Sequence, residues 1–354
     1  MIIHVVKIFL PTTLAFAVGI VAAPRFLKYM QLHKLWKKIA RTDATDITNN
    51  SFEALHNTKE EISTPRVGGV VIWFSTLAVI SIMWLISKVF PSDLSKSLDF
   101  YSRNQTLVPL ASLLFGSMVG LFDDFLQING GNGRFINDDI KYRRVKIAIV
   151  SLVGALIGSW FYFKLGMNAV AIPLTGHFLH LGFLFIPFFI MVLVATFSTS
   201  VIDGMDGLAG GVLAIIFGAY AGIAFGKHMV DIAAFCGVLS GSILAFLWFN
   251  VPPAKFYMGE TGILGLTVVL TVIAFLTDTV LLLPLIALPL AATSASNIIQ
   301  ITSYKYFNKR RVFKIAPLHH HFHALGWSRE KIVMRYWIIG MIAAIAGLVL
   351  ALVG

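Results

Sequence analysis

Apolar segments of about twenty residues recur along the whole chain and alternate with short polar segments. A helix of about 20 apolar residues crosses the hydrocarbon core of a bilayer, and it satisfies its backbone hydrogen bonds internally. Ten such segments lie near residues 5–23, 67–90, 107–125, 146–165, 181–200, 208–225, 231–249, 262–278, 280–301 and 333–353. The pattern predicts an all-α integral membrane protein of about ten transmembrane helices, with one polytopic domain over residues 1–354.

The composition agrees with this prediction. The chain is 57% hydrophobic and only 13% charged, whereas a soluble domain carries roughly 25% charged residues. The positive charges beside the first segment follow it, which is the wrong order for a cleaved signal peptide. We therefore expect an uncleaved first span. The net charge of +11 indicates membrane topology and anionic lipid rather than nucleic acid, because the basic residues lie mainly between the apolar segments.

The distribution of Lys and Arg predicts the orientation. The loops after the first, third, fifth, seventh and ninth segments, with the segment ends beside them, hold 22 of these residues, against 6 on the other side. The positive-inside rule then places these loops in the cytoplasm and both termini outside the inner membrane. Two long loops contain basic amphipathic stretches, residues 26–41 and 304–314. Surface anchoring and recruitment of an anionic lipid substrate both remain open for them. Residues 166–180, on the outer side, are expected to form a small hairpin.

Five of the 17 acidic residues stand at the predicted cytoplasmic ends of apolar segments. They are Asp123, Asp124, Asp203, Asp206 and Glu260. A carboxylate at membrane depth is costly, so each is a candidate functional group. A transporter would place such acids near mid-span, and their position at the segment ends favours an enzyme at the membrane surface.

The adjacent pair Asp123–Asp124 repels itself unless a cation lies between the two groups. Magnesium binds one or two carboxylates together with waters and substrate phosphates. The pair therefore indicates a site for a metal and a phosphate.

Two predicted turns carry further polar groups. In the first, Asp203 and Asp206 are each followed by glycine, which lets a ligand approach the backbone, and the acids suit ribose or base groups. The second turn contains Pro252 and Pro253, which disfavour a helix. There Asn250 and Tyr257 offer an amide and an aromatic face beside Glu260.

A histidine cluster, His319, His320, His321 and His323, lies in the last basic loop. Contact with phosphate or proton handling near neutral pH suits histidine. Zinc binding and a plain solvated loop are the alternatives.

Together these motifs resemble the phospho-N-acetylmuramoyl-pentapeptide transferase family of the polyprenyl-phosphate N-acetylhexosamine-1-phosphate transferase superfamily. The resemblance covers nearly the whole chain, and the His-His-His-Phe order is closer to this family than to the sister N-acetylglucosamine-1-phosphate transferases. The stretches that carry it are Thr64-Pro65-Arg66-Val67-Gly68-Gly69, Asp123-Asp124, Asp203-Gly204-Met205-Asp206-Gly207, Phe249-Asn250, Pro253-Ala254, Met258-Gly259-Glu260-Thr261-Gly262, Pro317-Leu318-His319-His320-His321-Phe322, Gly326-Trp327 and Arg335-Tyr336-Trp337.

The resemblance implies UDP-N-acetylmuramoyl-pentapeptide as donor, undecaprenyl phosphate as acceptor, UMP as leaving product and Mg²⁺ as cofactor. The metal ligands would be Asp123, Asp124 and Glu260. The catalytic group would be Asp123, Asp124, Lys146, Glu260, His319, His320 and His321. The substrate-binding group would be Lys59, Thr64, Asp203, Gly204, Asp206, Asn250, Tyr257 and Gln300. Membrane lipids are the other expected partners, and a homodimer remains open.

Three positions depart from the family pattern: Gln127 replaces a usual Lys, Glu260 a usual Asp and Ser200 a usual Asn, whereas the Arg144-x-Lys146 pair is retained. A sister enzyme for UDP-N-acetylglucosamine and an inactive homologue therefore remain alternatives. An aspartate of the pair could deprotonate the acceptor phosphate, which then attacks directly, or it could form a phosphoryl-enzyme first; direct attack is preferred.

Overall fold

The computed structural model describes residues 2–36, 63–101, 105–129 and 139–353, and helices dominate them. The α-helices are α1 Ile2–Leu32, α2 Val70–Val89, α3 Asp93–Leu98, α4 Leu107–Ile128, α5 Asp139–Leu165, α6 Phe185–Ser198, α7 Leu208–Gly226, α8 Val230–Asn250, α9 Gly259–Leu276, α10 Leu283–Ile286, α11 Leu288–Tyr306, α12 Leu318–Ala324 and α13 Arg329–Val353. Short 3-10 turns, Gly182–Leu184 and Thr199–Ile202, flank α6.

Within the described ranges, nine helical segments are long and apolar enough to cross a membrane. They correspond to nine of the ten predicted segments, which confirms a multi-pass, all-α membrane protein. Many large apolar side chains on the outer faces of the helices are exposed in the isolated chain. Lipid would cover these faces in a bilayer.

The remaining predicted segment, near 280–301, differs from a single continuous helix. It consists of the short helix α10 and the longer α11, with a break at Ala287. Pro284 and Pro289 each stand in the first turn of their helix. Proline lacks an N–H and clashes with the preceding turn, so it favours the start of a helix at each of these two positions.

The hairpin predicted within residues 166–180 is confirmed, and it directly precedes the 3-10 turn Gly182–Leu184. Strands β1, Ala169–Ala171, and β2, Phe178–His180, pair antiparallel, with Ala169 opposite His180. Helix α1 runs on to Leu32 and so includes the start of the basic stretch predicted at the first cytoplasmic loop. Residues 37–41 of that stretch lie outside the described ranges.

A close helix contact joins α4 to α9. Gly116 lies against Gly265, and a Cβ on Gly120 would overlap the carbonyl group of Glu260. Small residues let membrane helices approach closely where lipid offers no hydrophobic driving force. This contact brings the end of α4, with Asp123 and Asp124, to the start of α9.

Candidate active site

Asp124 connects α4 to the first turn of α9. Its Oδ1 accepts a hydrogen bond from the Glu260 N–H at 3.1 Å, and its Oδ2 accepts from the Thr261 N–H at 2.8 Å and the Thr261 hydroxyl at 2.7 Å. The side chain is fully buried. Because the first N–H groups of a helix have no partner within the helix, the carboxylate of Asp124 satisfies two of them.

Close backbone approach makes this arrangement possible. Gly259 has φ +68°, and a Cβ there would overlap the Arg66 carbonyl and lie 2.5 Å from Asp124 Oδ2. Only glycine adopts this left-handed conformation readily and leaves that space open.

Lys146 joins the other two acids of the site. Its Nζ lies 3.0 Å from Asp123 Oδ2 and 2.7 Å from Glu260 Oε1. Asp123 is held further by the amide of Gln127, which donates to Oδ2 at 2.8 Å, and by the hydroxyl of Tyr142, which donates to Oδ1. Residues from α4, α5 and α9 thus converge on one polar corner.

Glu260 does not lie in a loop, as the prolines before it led us to expect, but in the first turn of α9. The loop from Pro252 ends at Gly259, and the helix begins there because Asp124 bonds its first free N–H groups. The Oε2 atom of Glu260 is buried and has no hydrogen-bond partner among the described residues. An additional cation is therefore a natural partner for this oxygen.

The described ranges contain no preformed group of three His, Cys, Asp or Glu side chains that could hold a metal ion. Asp123 and Glu260 do converge, on the ammonium of Lys146, whereas the oxygens of Asp124 are directed at the backbone of α9. Magnesium commonly uses only one or two carboxylates and completes its shell with water and substrate phosphate. The residues present fit Mg²⁺ as a two-carboxylate site with one open oxygen on Glu260.

The turn after α6 is bound to the loop after α8. Asn250 Oδ1 accepts from the Gly207 N–H at 3.0 Å, and its Nδ2 donates to the Phe256 carbonyl at 2.9 Å. Asp206 Oδ2 accepts from the Ala254 N–H at 3.1 Å. Asn250 is buried, so its amide fixes the two turns relative to each other.

Helix α13 also contacts the turn after α6. Trp337 of α13 donates from Nε1 to the Gly207 carbonyl at 3.2 Å. Asp203, four residues earlier, is half-buried. Burial raises the pKa of Asp203 to about 7, and the positive charge of Arg66 is the largest opposing influence.

The histidine motif lies beside this turn. His319 and His320 are buried in α12, and a Cβ on Gly204 would be 2.6 Å from His319 Nε2 and 3.2 Å from His320 Nε2. His321 instead accepts from the Lys314 N–H at 3.1 Å. Partial burial and the charge of Lys314 lower the pKa of His321.

Gln300 holds the basic loop that precedes α12. Its Oε1 accepts from the N–H groups of Val312 and Phe313 at 3.1 and 3.0 Å, and its Nε2 donates to the Phe313 carbonyl at 3.1 Å. The predicted substrate residue Thr64 is half-buried beside the loop that carries Tyr257. Lys59 lies outside the described residues.

Comparison with known sequences identifies the family of this chain. The sequence model of Glycosyl transferase family 4 matches residues 106–278. Phospho-N-acetylmuramoyl-pentapeptide-transferase of Chloroflexus aurantiacus is 31% identical over 350 residues, 96% of this chain and 88% of the relative. This chain belongs to the phospho-N-acetylmuramoyl-pentapeptide transferase family. Two further relatives carry the same name. The one from Caldanaerobacter subterraneus is 31% identical over 95% of this chain and 96% of its own length. The one from Anoxybacillus flavithermus is 32% identical over 95% of each chain.

Two residues at the polar corner of this transferase-family chain were missed as site residues. Tyr142 precedes Lys146 by one helical turn, and its ring lies 5.4 Å from the Lys146 ammonium; the i, i+4 spacing was the available signal. Arg66, whose carbonyl lies against Gly259, was noted only within the motif before α2.

Proposed function

We propose that this chain transfers phospho-N-acetylmuramoyl-pentapeptide from UDP-N-acetylmuramoyl-pentapeptide to undecaprenyl phosphate and releases UMP. Membership of the transferase family supports the proposal, and so does one structural observation: Asp123, Lys146 and Glu260 meet at one end of the bundle. We also propose that this end faces the cytoplasm in the inner membrane, with both termini outside. The excess of Lys and Arg in the loops on that side supports this orientation.

The reaction joins two anionic groups, so the site must supply positive charge. Lys146 is held in place by two carboxylates and can donate to a phosphate oxygen of the donor. Asp123 and Glu260 would hold Mg²⁺ together with substrate phosphate oxygens. The bound metal would supply charge neutralisation and lower the repulsion between the acceptor phosphate and the diphosphate.

Direct attack by the acceptor phosphate is the route we propose. Both oxygens of Asp123 are already engaged, Oδ1 by Tyr142 and Oδ2 by Gln127 and Lys146. Asp124 accepts three hydrogen bonds from Glu260 and Thr261. A carboxylate occupied in this way is a poor nucleophile, and the lipid phosphate carries its own anionic oxygens.

The nucleotide is proposed to bind between the two turns. Asp203 and Asp206 would accept hydrogen bonds from ribose or base, and the ring of Tyr257 would stack on uracil. His319 and His320, whose rings lie beside Gly204, would contact substrate phosphate.

Purified protein in detergent, given radiolabelled UDP-N-acetylmuramoyl-pentapeptide and undecaprenyl phosphate, tests the proposal. We expect a labelled lipid product and stoichiometric UMP with magnesium, and neither product after chelation. Radiolabelled UDP-N-acetylglucosamine serves as the competing donor. A lipid product formed only from that second donor, or no product from either, would contradict the proposed function.

A further inference from the structure

The segment before α2 runs beside the loop that leads into α9. The Tyr257 N–H donates to the Pro65 carbonyl at 2.7 Å, the Gly68 N–H to the Tyr257 carbonyl at 2.9 Å, and the Gly69 N–H to the Met258 carbonyl at 2.9 Å. These three bonds surround Arg66 in sequence. They fix its backbone against the start of α9.

Arg66 is consequently part of the polar corner. The Arg66 N–H donates to the Leu35 carbonyl at 3.0 Å, and its own carbonyl lies against the Cα of Gly259. The same Gly259 contacts the carboxylate of Asp124 on another side. The backbone of Arg66 is therefore anchored within a few ångströms of the acids.

The side chain of Arg66 is not fully used by the protein. It is half-buried, and its Nε atom is buried with no hydrogen-bond partner among the described residues. A guanidinium has five N–H donors arranged as a planar fork, and a buried donor without an acceptor is unfavourable. A ligand that brings acceptor oxygens would satisfy it.

The charge of Arg66 acts on two different parts of the site. It attracts Asp124, at the corner formed by α4 and α9, and Asp203, in the turn after α6. The charge of Arg66 is thus felt both by an acid near Lys146 and by an acid of the turn proposed to hold the nucleotide. In the proposed function, the diphosphate of the donor must occupy the space between these two parts.

Charge balance points to the same ligand. Lys146 is already paired with Asp123 and Glu260, and the neutral Gln127 is the neighbour of Asp123 on α4. A nucleoside diphosphate that enters this acidic corner needs a further cation. The guanidinium fork matches phosphate oxygens in a bidentate way.

We propose that Arg66 binds the diphosphate group of the nucleotide-sugar donor. This inference rests on the proposed function for the identity of the donor, but not for the binding of a nucleoside diphosphate. The role belongs to the side chain, because the backbone of Arg66 would hold the loop equally well with another residue at this position.

Calorimetry with UDP and with uridine on Arg66→Gln, Arg66→Lys and Arg25→Gln tests the proposal. Arg25 is a matched control, since it is exposed on α1 and its guanidinium donates to the Val21 carbonyl. We expect Arg66→Gln to weaken UDP affinity by about tenfold or more and to leave uridine affinity unchanged. In turnover assays, the donor KM should rise while the undecaprenyl phosphate KM stays at the parent value.

Several outcomes would overturn the inference. They are an unchanged UDP affinity in folded Arg66→Gln, an equal loss for UDP and uridine, and a rise confined to the KM of undecaprenyl phosphate. If Arg66→Gln fails to fold, Arg66→Lys decides, because a single ammonium cannot replace the bidentate fork; a parent-like UDP affinity and donor KM there would overturn the inference. A parent protein that makes no lipid product but binds UDP through Arg66 would contradict the transferase function and leave this inference standing.

Discussion

The Nζ atom of Lys146 lies 2.7 Å from the Oε1 atom of Glu260, although 114 residues separate them in the sequence. The same ammonium lies 3.0 Å from Asp123 Oδ2. One cation on α5 therefore holds together two acids that would otherwise repel each other. The spacing of the acids in the proposed metal site depends on this lysine.

Replacing Lys146 with Gln should lower kcat by a factor on the order of 10²–10³, as for other residues that stabilise developing charge. Lys164→Gln is the matched control, because Lys164 is exposed at the opposite end of the same helix α5. Its turnover should equal that of the parent. Turnover of Lys146→Gln within the range of the control variant would remove this ammonium from the reaction.

Asn substitutions should separate the two adjacent aspartates. Asp124→Asn places an NH₂ group where Thr261 donates from its N–H and hydroxyl. A buried donor left without its acceptor costs about 1–3 kcal/mol, so the apparent unfolding temperature in detergent should fall. The loss of activity in this variant would then include a loss of structure.

Asp123→Asn should instead abolish lipid product with a smaller fall in unfolding temperature, because the partners of Asp123 are side chains that can reorient, whereas those of Asp124 include the backbone of α9. Thermal unfolding and turnover are measured on both variants. Equal destabilisation of the two proteins would contradict this division of roles.

Glu260 should determine the magnesium requirement. Glu260→Gln removes the charge and keeps the shape, so we expect a severe rise in the half-saturating magnesium concentration. Glu260→Asp should be milder and should regain activity at raised magnesium, since it keeps a carboxylate at the start of α9. A magnesium titration of turnover decides: parent-like half-saturation and maximal rate in Glu260→Gln would show that the metal is held elsewhere.

Two residues of the nucleotide site should respond differently to truncation. Tyr257→Ala should weaken UMP binding by about 1–3 kcal/mol through loss of base stacking, with a smaller fall in unfolding temperature than in Asn250→Ala. Asn250→Ala should lower both the UMP affinity and the unfolding temperature, because the amide of Asn250 is bonded to Gly207 and Phe256. Calorimetry with UMP and thermal unfolding distinguish the two, and an unchanged UMP affinity in Tyr257→Ala refutes stacking.

Sequence pattern was sufficient for the membrane helices because each long apolar run needs only its own backbone hydrogen bonds in lipid. The break at Ala287 was less visible, since Pro284 and Pro289 lie within a run that is apolar throughout. The start of α9 could not be located either. It depends on Asp124, a residue 136 positions from Glu260, and no local pattern records that contact.

The candidate site was predictable as a set of residue types and not as an arrangement. The five acids could be chosen because carboxylates at membrane depth are costly. The partners on α5 could not, since Lys146 and Tyr142 reach Asp123 only after α4 and α5 have packed. Asn250 and Gln300 were predicted as substrate residues, and their amides are bonded to the protein's own backbone.

The hydrogen bonds from the first turn of α9 to Asp124 also determine where an anion can bind. The N-terminus of a helix carries a partial positive charge from its aligned peptide dipoles and commonly attracts phosphate. In this protein a carboxylate of the chain itself already occupies that position. The partial positive charge at the start of α9 is thus neutralised before any substrate binds. Side-chain cations must therefore bind the phosphate groups, and a single substitution can change the number and position of such cations.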